Sequence, residues 1–582
     1  MTVIGISFGY HDAAAALVVD GEVRVAAEEE RFTRVKHDPS FPRRAVEYCT
    51  CAGGIASKDA DYVVFYEKPI LKFDRILTTL LAEHPRTLRP FLRALPLWLK
   101  NRLWVESEIA RELEVDRERI LFSQHHLSHA ASAFFLSPFE SAGVLTLDGI
   151  GEWTSGTVGW GEGSQLRIDH EMRFPHSIGL FFSLMTAYLG FKVNDGEWKV
   201  MGLAPYGQPK YVEQLRSVIS IFDDGSIHLH GGYLEFLRND SHMFAAEKLT
   251  RLLGIPPRNS SSELKAEHSD LAASIQKLFE ECLVKSVRFV AQKYDTDRLC
   301  YAGGSALNSV ANQLILTQTP IRKVFIQPAP GDSGAAIGAA LLAYNNLADN
   351  PVREPMRHVY LGPDFGDAAI CQACSEAGVD ANHITNREAL LERTVDLLAD
   401  GRIVGWFQGR MEFGPRALGS RSILADPRSA SMKDAINAKV KYRESFRPFA
   451  ASVPEEDSAT YFELDGPSPF MLIVCPVRQE WRNQLAAITH VDQSCRVQTV
   501  ETESAPLYFE LLKRFGRRTG IPVLLNTSFN IRGEPIVCTP AEAIHCFVRS
   551  GLDALVIGNY LIETKVASVP YSFAEVDQLD AR

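Results

Sequence analysis

The feature that most limits how this chain can fold is a unit it uses twice. Near the N-terminus VIGISFG runs into the polar turn Tyr10-His11-Asp12, then AAAALVVDGEV, then RVAAEEE. These read as three strands, and the Asp20-Gly21 pair between the second and third is a hairpin signal. The same plan returns at 143–168, as GVLTLDGIG, EWTSGTVGWGEG and SQLRID. A repeated strand–polar turn–strand unit implies an internally duplicated α/β domain. Its two halves can close on a ligand at their paired turns.

The second copy carries chemistry at its entrance. In QHHLSHAASAFFLSPFESAGVLTLDG (124–149), His125 and His129 stand four apart in a helical stretch. Residues i and i+4 share a helix face, so two imidazoles there can share one metal ion. Asp148 closes the apolar run Val144-Leu145-Thr146-Leu147, and a carboxylate at a strand end beside a helical His pair makes a mixed N/O site. Spacing alone leaves two alternatives open. His126 and His129 are an i,i+3 pair on nearly the same face, and paired histidines on a half-apolar helix can also be packed core residues.

Further on, RLCYAGGSALNSVANQLIL (298–316) and KVFIQPAPGDSGAAIGAALLAY (323–344) each read strand, glycine turn, helix, with Asp332 at the second helix entrance. Such turns leave backbone N–H groups free for an anion, although tight strand-to-helix packing also demands glycine. A turn-rich boundary near 350–395 divides the chain into domains 1–352 and 353–582. Two domains suit 582 residues, too many for one core. In the second domain, Arg402 to Arg447 holds ten Lys/Arg against four acids, inside a chain of net charge −11. A local positive field of this kind gathers anions, and arginines in a loop such as FGPRALGSRS suit phosphate. IPVLLNTSFNIRGEP (521–535) reads as a buried strand opening into a polar loop with Asn526, Thr527, Ser528 and Asn530.

Other features bound the reading. The acidic balance disfavours nucleic acid. The N-terminus goes straight into a strand without a signal segment, and no apolar run approaches membrane-span length, so a cytoplasmic protein without membrane association is expected. Ten scattered cysteines suit a reducing compartment, and the lone Cys371/Cys374 pair reads as structural. Residues 68–119 are amphipathic, basic and broken by prolines, so they read as helices; such a segment can lie on a membrane or contact a phosphate, and the favoured reading is a packed insertion with a solvated basic face.

Taken in order, FGYHDAAAALVVDG, AEEERFTRVKHD, HHLSHAASAFF, LTLDG, MGLAPYG, GGSALN, GDSGAAIGAA, FGPRALGSRSILADPR, KYRESFRPFAASV and LLNTSFNIRGEPIV resemble one family from residue 2 to about residue 562. It is the O-carbamoyltransferases of antibiotic biosynthesis and nodulation. The resemblance implies an α/β chain: a duplicated N-terminal domain of the actin/Hsp70 (ASKHA) type, similar to tRNA threonylcarbamoyl transferases, and a C-terminal YrdC-like α+β domain. It implies that carbamoyl phosphate and ATP (with Mg) form carbamoyl adenylate in the second domain. The carbamoyl group then passes to a hydroxyl of a small-molecule natural product, an antibiotic or sugar-containing metabolite, in the first.

Carried over by position, His125, His129, Asp148 and Asp332 match metal ligands, usually for Fe(II), and His11 matches the catalytic residue beside the acceptor hydroxyl. Lys36, Arg416, Arg421, Lys441, Arg447, Arg496, Asn526 and Ser528 match positions around carbamoyl phosphate and ATP, with Arg443 competing with Arg447. Gly303, Gly304 and Asn308 match adenylate contacts in the first domain. The acceptor's identity and homo-oligomerisation stay open. Two other readings compete: a metal-dependent hydrolase, weakened because no Glu stands within the His pair as in HExxH, and an actin- or Hsp70-like nucleotide switch, for which the second basic domain and the His pair are surplus.

Overall fold

The first apolar run of the chain becomes a central strand. A computed structural model describes residues 1–85, 87–100, 102–235, 243–444 and 446–563. In it β1 (Thr2–Ser7), β2 (Ala14–Val19), β3 (Glu22–Glu28), β4 (Tyr62–Phe65) and β5 (Ile120–Phe122) form one sheet in the order 3-2-1-4-5. β1 runs antiparallel to β2 and parallel to β4, and it is buried from Val3 to Ser7. Such two-sided burial is why VIGIS reads as a continuous apolar run.

The second copy repeats the topology. β6 (Ser141–Leu147), β7 (Thr154–Glu162) and β8 (Gln165–Arg173) precede a small pair, β9 (Ile219–Ile221) and β10 (Ile227–Leu229). With β11 (Arg298–Ala302) and β12 (Lys323–Ile326) the second sheet has the order 8-7-6-11-12. Its leading strand β6 is again antiparallel to the following strand, β7, and parallel to β11. The duplicated, actin-like α/β domain expected from the repeat is therefore present. Each half also ends in a helix after its last strand, His125–Phe134 after β5 and Asp332–Leu347 after β12. The two helices pack at close range, since a Cβ on Gly338 would collide with the Ser128 carbonyl oxygen. That closeness explains the small-residue run GDSGAAIGAA, buried from Asp332 to Asn345.

Residue contacts divide the chain into two units, Met1–Val25 with Pro39–Met356, and Ala26–Asp38 with Arg357 onward. The early segment is built into the second unit by its side chains. Phe32 packs on Met411, Ala417, Ile536 and Cys538, Arg31 donates to the Gly414 carbonyl at 2.9 Å, and Arg34 donates to those of Pro535 and Ile536 at 2.7 Å each.

The second unit carries, among the described residues, one mixed sheet of nine strands. They are β13 (Asn382–His383), β14 (Val404–Phe407), β15 (Arg421–Ala425), β16 (Ala450–Pro454), β17 (Ile473–Pro476), β18 (Ser494–Val500), β19 (Leu524–Ser528), β20 (Ala554–Ile557) and β21 (Tyr560–Ile562), in the order 13-21-20-14-15-19-16-18-17. Leucines of the Arg387–Ala399 and Pro506–Thr519 helices pack with Trp406 and Phe515 in one core. One sequence expectation shifts here. Asn526 and Ser528 lie on β19 rather than in the loop after it, because Asn526 pairs with Leu424 and Ala450 in the strand ladder.

Residues 68–119 form helices as expected: Pro69–Ala82, Leu88–Lys100 and Val105–Leu113. The expected packing holds only in part. Arg75 is buried and donates to the Gly151 carbonyl at 2.6 Å, and Val105, Ile109 and Leu113 are buried. The Leu88–Lys100 helix buries no residue at all. Among the described residues no helix is long and apolar enough to cross a membrane.

Candidate metal centre and anion site

The duplication brings equivalent places together. The turn after β1 carries His11, and the turn after β6 carries Asp148. The closing helix of the first half supplies His125 and His129, and that of the second half begins with Asp332. The Nε2 atoms of His125 and His129 lie 3.1 Å apart. Asp148 Oδ2 is 3.1 Å from the first and 3.9 Å from the second, and Asp332 Oδ1 is 3.7 Å from each. All four donor atoms fall within 4.8 Å of one another. His126 is turned away, its Nδ1 at 2.7 Å from Thr146 Oγ1, so the 125/129 pair shares the site.

These residues fit a metal ion. Two imidazole nitrogens and two carboxylate oxygens converge without intervening side chains, a donor set suited to a divalent first-row metal. Burial alone would raise the Asp148 carboxyl, but His125 and His129 hold it well below the usual range; His125 is in turn held well above its ordinary value, against burial, by Asp148 and Glu67. Protons therefore compete with a cation here, and metal affinity falls as pH is lowered.

A second layer fixes the donors. The Gly304 N–H donates to Asp148 Oδ1 at 2.7 Å, and Gly303, at φ +92°, makes the turn that presents it. The Tyr66 hydroxyl donates to Asp332 Oδ2 at 3.2 Å. Glu67, held by Lys72 at 2.8 Å, lies 3.8 Å from His125 Nδ1. Glu152 accepts the backbone N–H of His125 at 3.0 Å and of Lys68 at 2.8 Å. Sequence reading missed Tyr66, Glu67 and Glu152. A signal existed for the first two, because they follow the apolar run YVVF at the end of a parallel strand, where ligands collect. Asn308 caps the Ser309–Gln318 helix and exchanges hydrogen bonds with Gln276 at 3.0 and 3.1 Å, so its side chain is engaged by protein.

His11 Nδ1 lies 2.8 Å from Asp12 Oδ2. Burial pushes its ring down, but the carboxylates of Asp332 and Asp12 outweigh that and raise it from 6.5 to about 9. In the metal-free protein His11 then contributes stability that is full below pH 6.5 and is lost as pH rises through about 9. A cation held by Asp148 and Asp332 offsets their part of the rise and leaves that of Asp12. Ring-proton NMR of His11 should titrate near pH 9 without metal and clearly lower after Zn(II) is added; an unchanged titration with Zn(II) bound would contradict this electrostatic account.

The second unit gathers cations. Arg416 is held well below its usual value by burial and by Arg496. Arg443 falls to about 9 through burial, Arg447 and Arg496, and Arg496 falls to about 10 through burial. Arg447 carries Glu444 at 2.6 Å. The Nε atoms of Arg416 and Arg496 are buried without a hydrogen-bond partner. Arg443 and Arg447 thus both belong to the cluster. Four other expected residues are engaged by protein atoms. Arg421 donates to the carbonyls of Gln408, Gly409, Ser420 and Pro363 at 3.0–3.1 Å. Lys441 donates to the Ser528 carbonyl at 2.5 Å and to the Asn530 carbonyl and Oδ1 at 2.9 and 2.8 Å. Asn526 donates to Ser452 Oγ and Gln498 Oε1 at 3.0 Å. Ser528 Oγ donates to Asn530 Oδ1 at 2.7 Å, and Lys36 follows the short Glu30–Thr33 helix of the same unit. Like charges held together in a half-buried cluster favour an anion among them, so pyrophosphate should raise the melting temperature. Arg496→Met should abolish most of that rise in differential scanning fluorimetry.

The carbamoyltransferase N-terminus family model matches residues 2–341, and the carbamoyltransferase C-terminus model matches residues 395–564. The chain belongs to the O-carbamoyltransferase family. It is therefore an enzyme with both family parts. An uncharacterized protein of Synechocystis sp. is 46% identical over 96% of this chain and 96% of its own length. The nodulation protein NolNO of Sinorhizobium fredii is 40% identical, covering 96% of this chain and 80% of that one. The 3'-hydroxymethylcephem-O-carbamoyltransferase of Amycolatopsis lactamdurans is 35% identical over 45% of this carbamoyltransferase and 48% of its own chain.

Proposed function

We propose that this enzyme makes carbamoyl adenylate from carbamoyl phosphate and ATP in its second, YrdC-like unit, and transfers the carbamoyl group to a hydroxyl of a small molecule in its first. The observation that carries this reading is the cation cluster of half-buried Arg416, Arg443 and Arg496 with buried Arg447, separate in sequence from the His/Asp tetrad. One site suits polyanionic reactants and the other suits a polarised carbonyl.

The balance of the first step is fixed by its atoms. Joining a carbamoyl group to AMP with loss of pyrophosphate also frees the phosphate of carbamoyl phosphate and consumes one water. The arginines neutralise the phosphate oxygens, with Arg421 and Lys441 holding the surrounding loops through their carbonyl contacts. In the second step the acceptor hydroxyl attacks the carbamoyl carbon and AMP leaves. His11, once neutral, takes the hydroxyl proton at its unprotonated ring nitrogen. His125, His129, Asp148 and Asp332 would hold a divalent metal, Fe(II) by family resemblance, which when bound supplies Lewis-acid polarisation of a carbonyl. Glu152 and Gly304 keep the His125 backbone and the Asp148 carboxylate in place.

The test is incubation with ATP, labelled carbamoyl phosphate and a panel of hydroxylated metabolites. Label is expected in an O-carbamoylated product together with AMP. Label recovered only as carbon dioxide, with every acceptor unchanged, would instead assign a hydrolase.

A further inference from the structure

No residue of the Leu88–Lys100 helix belongs to either site described above, and its surface is unusual. Leu88, Leu92 and Leu99 are spaced by four and seven and lie along one line of the helix; they are 48%, 60% and 50% exposed. Arg89, Arg93 and Lys100 repeat the same spacing one residue later, so an exposed basic line runs beside the leucine line. Trp98 leans on Phe73 of the Pro69–Ala82 helix, with ring centroids 5.7 Å apart, which fixes the side that faces protein. Trp104, just past the helix, is 58% exposed and its indole N–H donates to the Leu99 carbonyl at 2.7 Å. From residue 84 to residue 105 the sequence holds no Asp or Glu, in a chain of net charge −11.

An exposed leucine line in water is unfavourable unless something covers it. The charge beside it identifies the cover. A second copy docked through the same face would set basic line against basic line, which opposes association. An anionic lipid surface accepts both: leucines and Trp104 enter the headgroup boundary while Arg89, Arg93 and Lys100 meet lipid phosphates. We propose that the Leu88–Lys100 helix docks this enzyme reversibly on anionic membrane surfaces, lying in the interface plane. This departs from the expectation of a solvated basic face, because that expectation required the apolar face to be packed against protein.

Co-sedimentation of the full chain with vesicles tests it. Binding is expected to equimolar phosphatidylglycerol and phosphatidylcholine, and to weaken with salt. Arg89→Gln with Lys100→Gln should weaken partitioning roughly thirtyfold, from about fivefold per basic residue. Leu92→Gln with Leu99→Gln should also release the protein, although both basic residues remain. These positions are exposed and none of them is assigned to either site, so pyrophosphate release should be unchanged in all variants. Equal binding to phosphatidylcholine alone would overturn the proposal. So would absence of vesicle binding together with a dimer in sedimentation velocity that Leu92→Gln/Leu99→Gln dissolves, since the face would then belong to a second copy.

Discussion

Replacing His129 with alanine is expected to lower carbamoyl transfer by more than about 100-fold while changing acceptor-independent pyrophosphate release by less than about twofold. His129 is fully buried and contributes one of only two nitrogens among the four converging donors. Loss of even an outer-layer partner of a metal ligand typically costs 10–100-fold, about the least a lost ligand can cost. Metal content, read by elemental analysis of the purified protein, should fall in parallel. His126→Ala is the informative control. Its ring bonds Thr146 and points away from the donors, so this variant should lose thermal stability through the emptied core position yet keep its metal and most of its transfer activity. Equal loss of metal in both variants would remove the 125/129 assignment.

Arg496→Met is expected to do the reverse, cutting carbamoyl-phosphate-dependent pyrophosphate release by about 100-fold or more. Truncating one member of a buried charged contact to a ligand costs about 2–5 kcal/mol. Transfer from supplied carbamoyl adenylate should persist. Stability should move the other way. Arg496 is held at about 10, below its usual value, so folding disfavours its charged form at every pH below that. Methionine keeps most of the volume and removes the charge, so the variant should melt no lower than the parent and gain little from added pyrophosphate. A variant that melts much lower and loses both half-reactions would mean that Arg496 serves the fold instead of the anion.

Much of the first unit was legible because its logic is periodic. The repeated strand–turn–strand unit predicts two halves, and their topology then places Asp148, Asp332, His125 and His129 at matching ends. The choice between His125 and His126 was not legible, since a helix repeat separates them by one residue only; the Thr146 contact decides it. Membership of residues 26–38 in the second unit was hidden because Arg31 and Arg34 bond carbonyls far away in sequence. The arginines of FGPRALGSRS read alike, yet Arg421 is turned onto carbonyls while Arg416 adjoins Arg496. Likewise, the amphipathic pattern of Leu88–Lys100 is the same whether or not protein covers it, and only the exposure of Leu92 and Leu99 tells the cases apart.

The central claim is that activation consumes ATP only in the presence of carbamoyl phosphate. Pyrophosphate release measured with ATP and Mg, with and without carbamoyl phosphate, tests it most directly. The account predicts release only when both are present, matched mole for mole by carbamoylated product once an acceptor is supplied. Release at the same rate without carbamoyl phosphate, or none with it, would contradict the account.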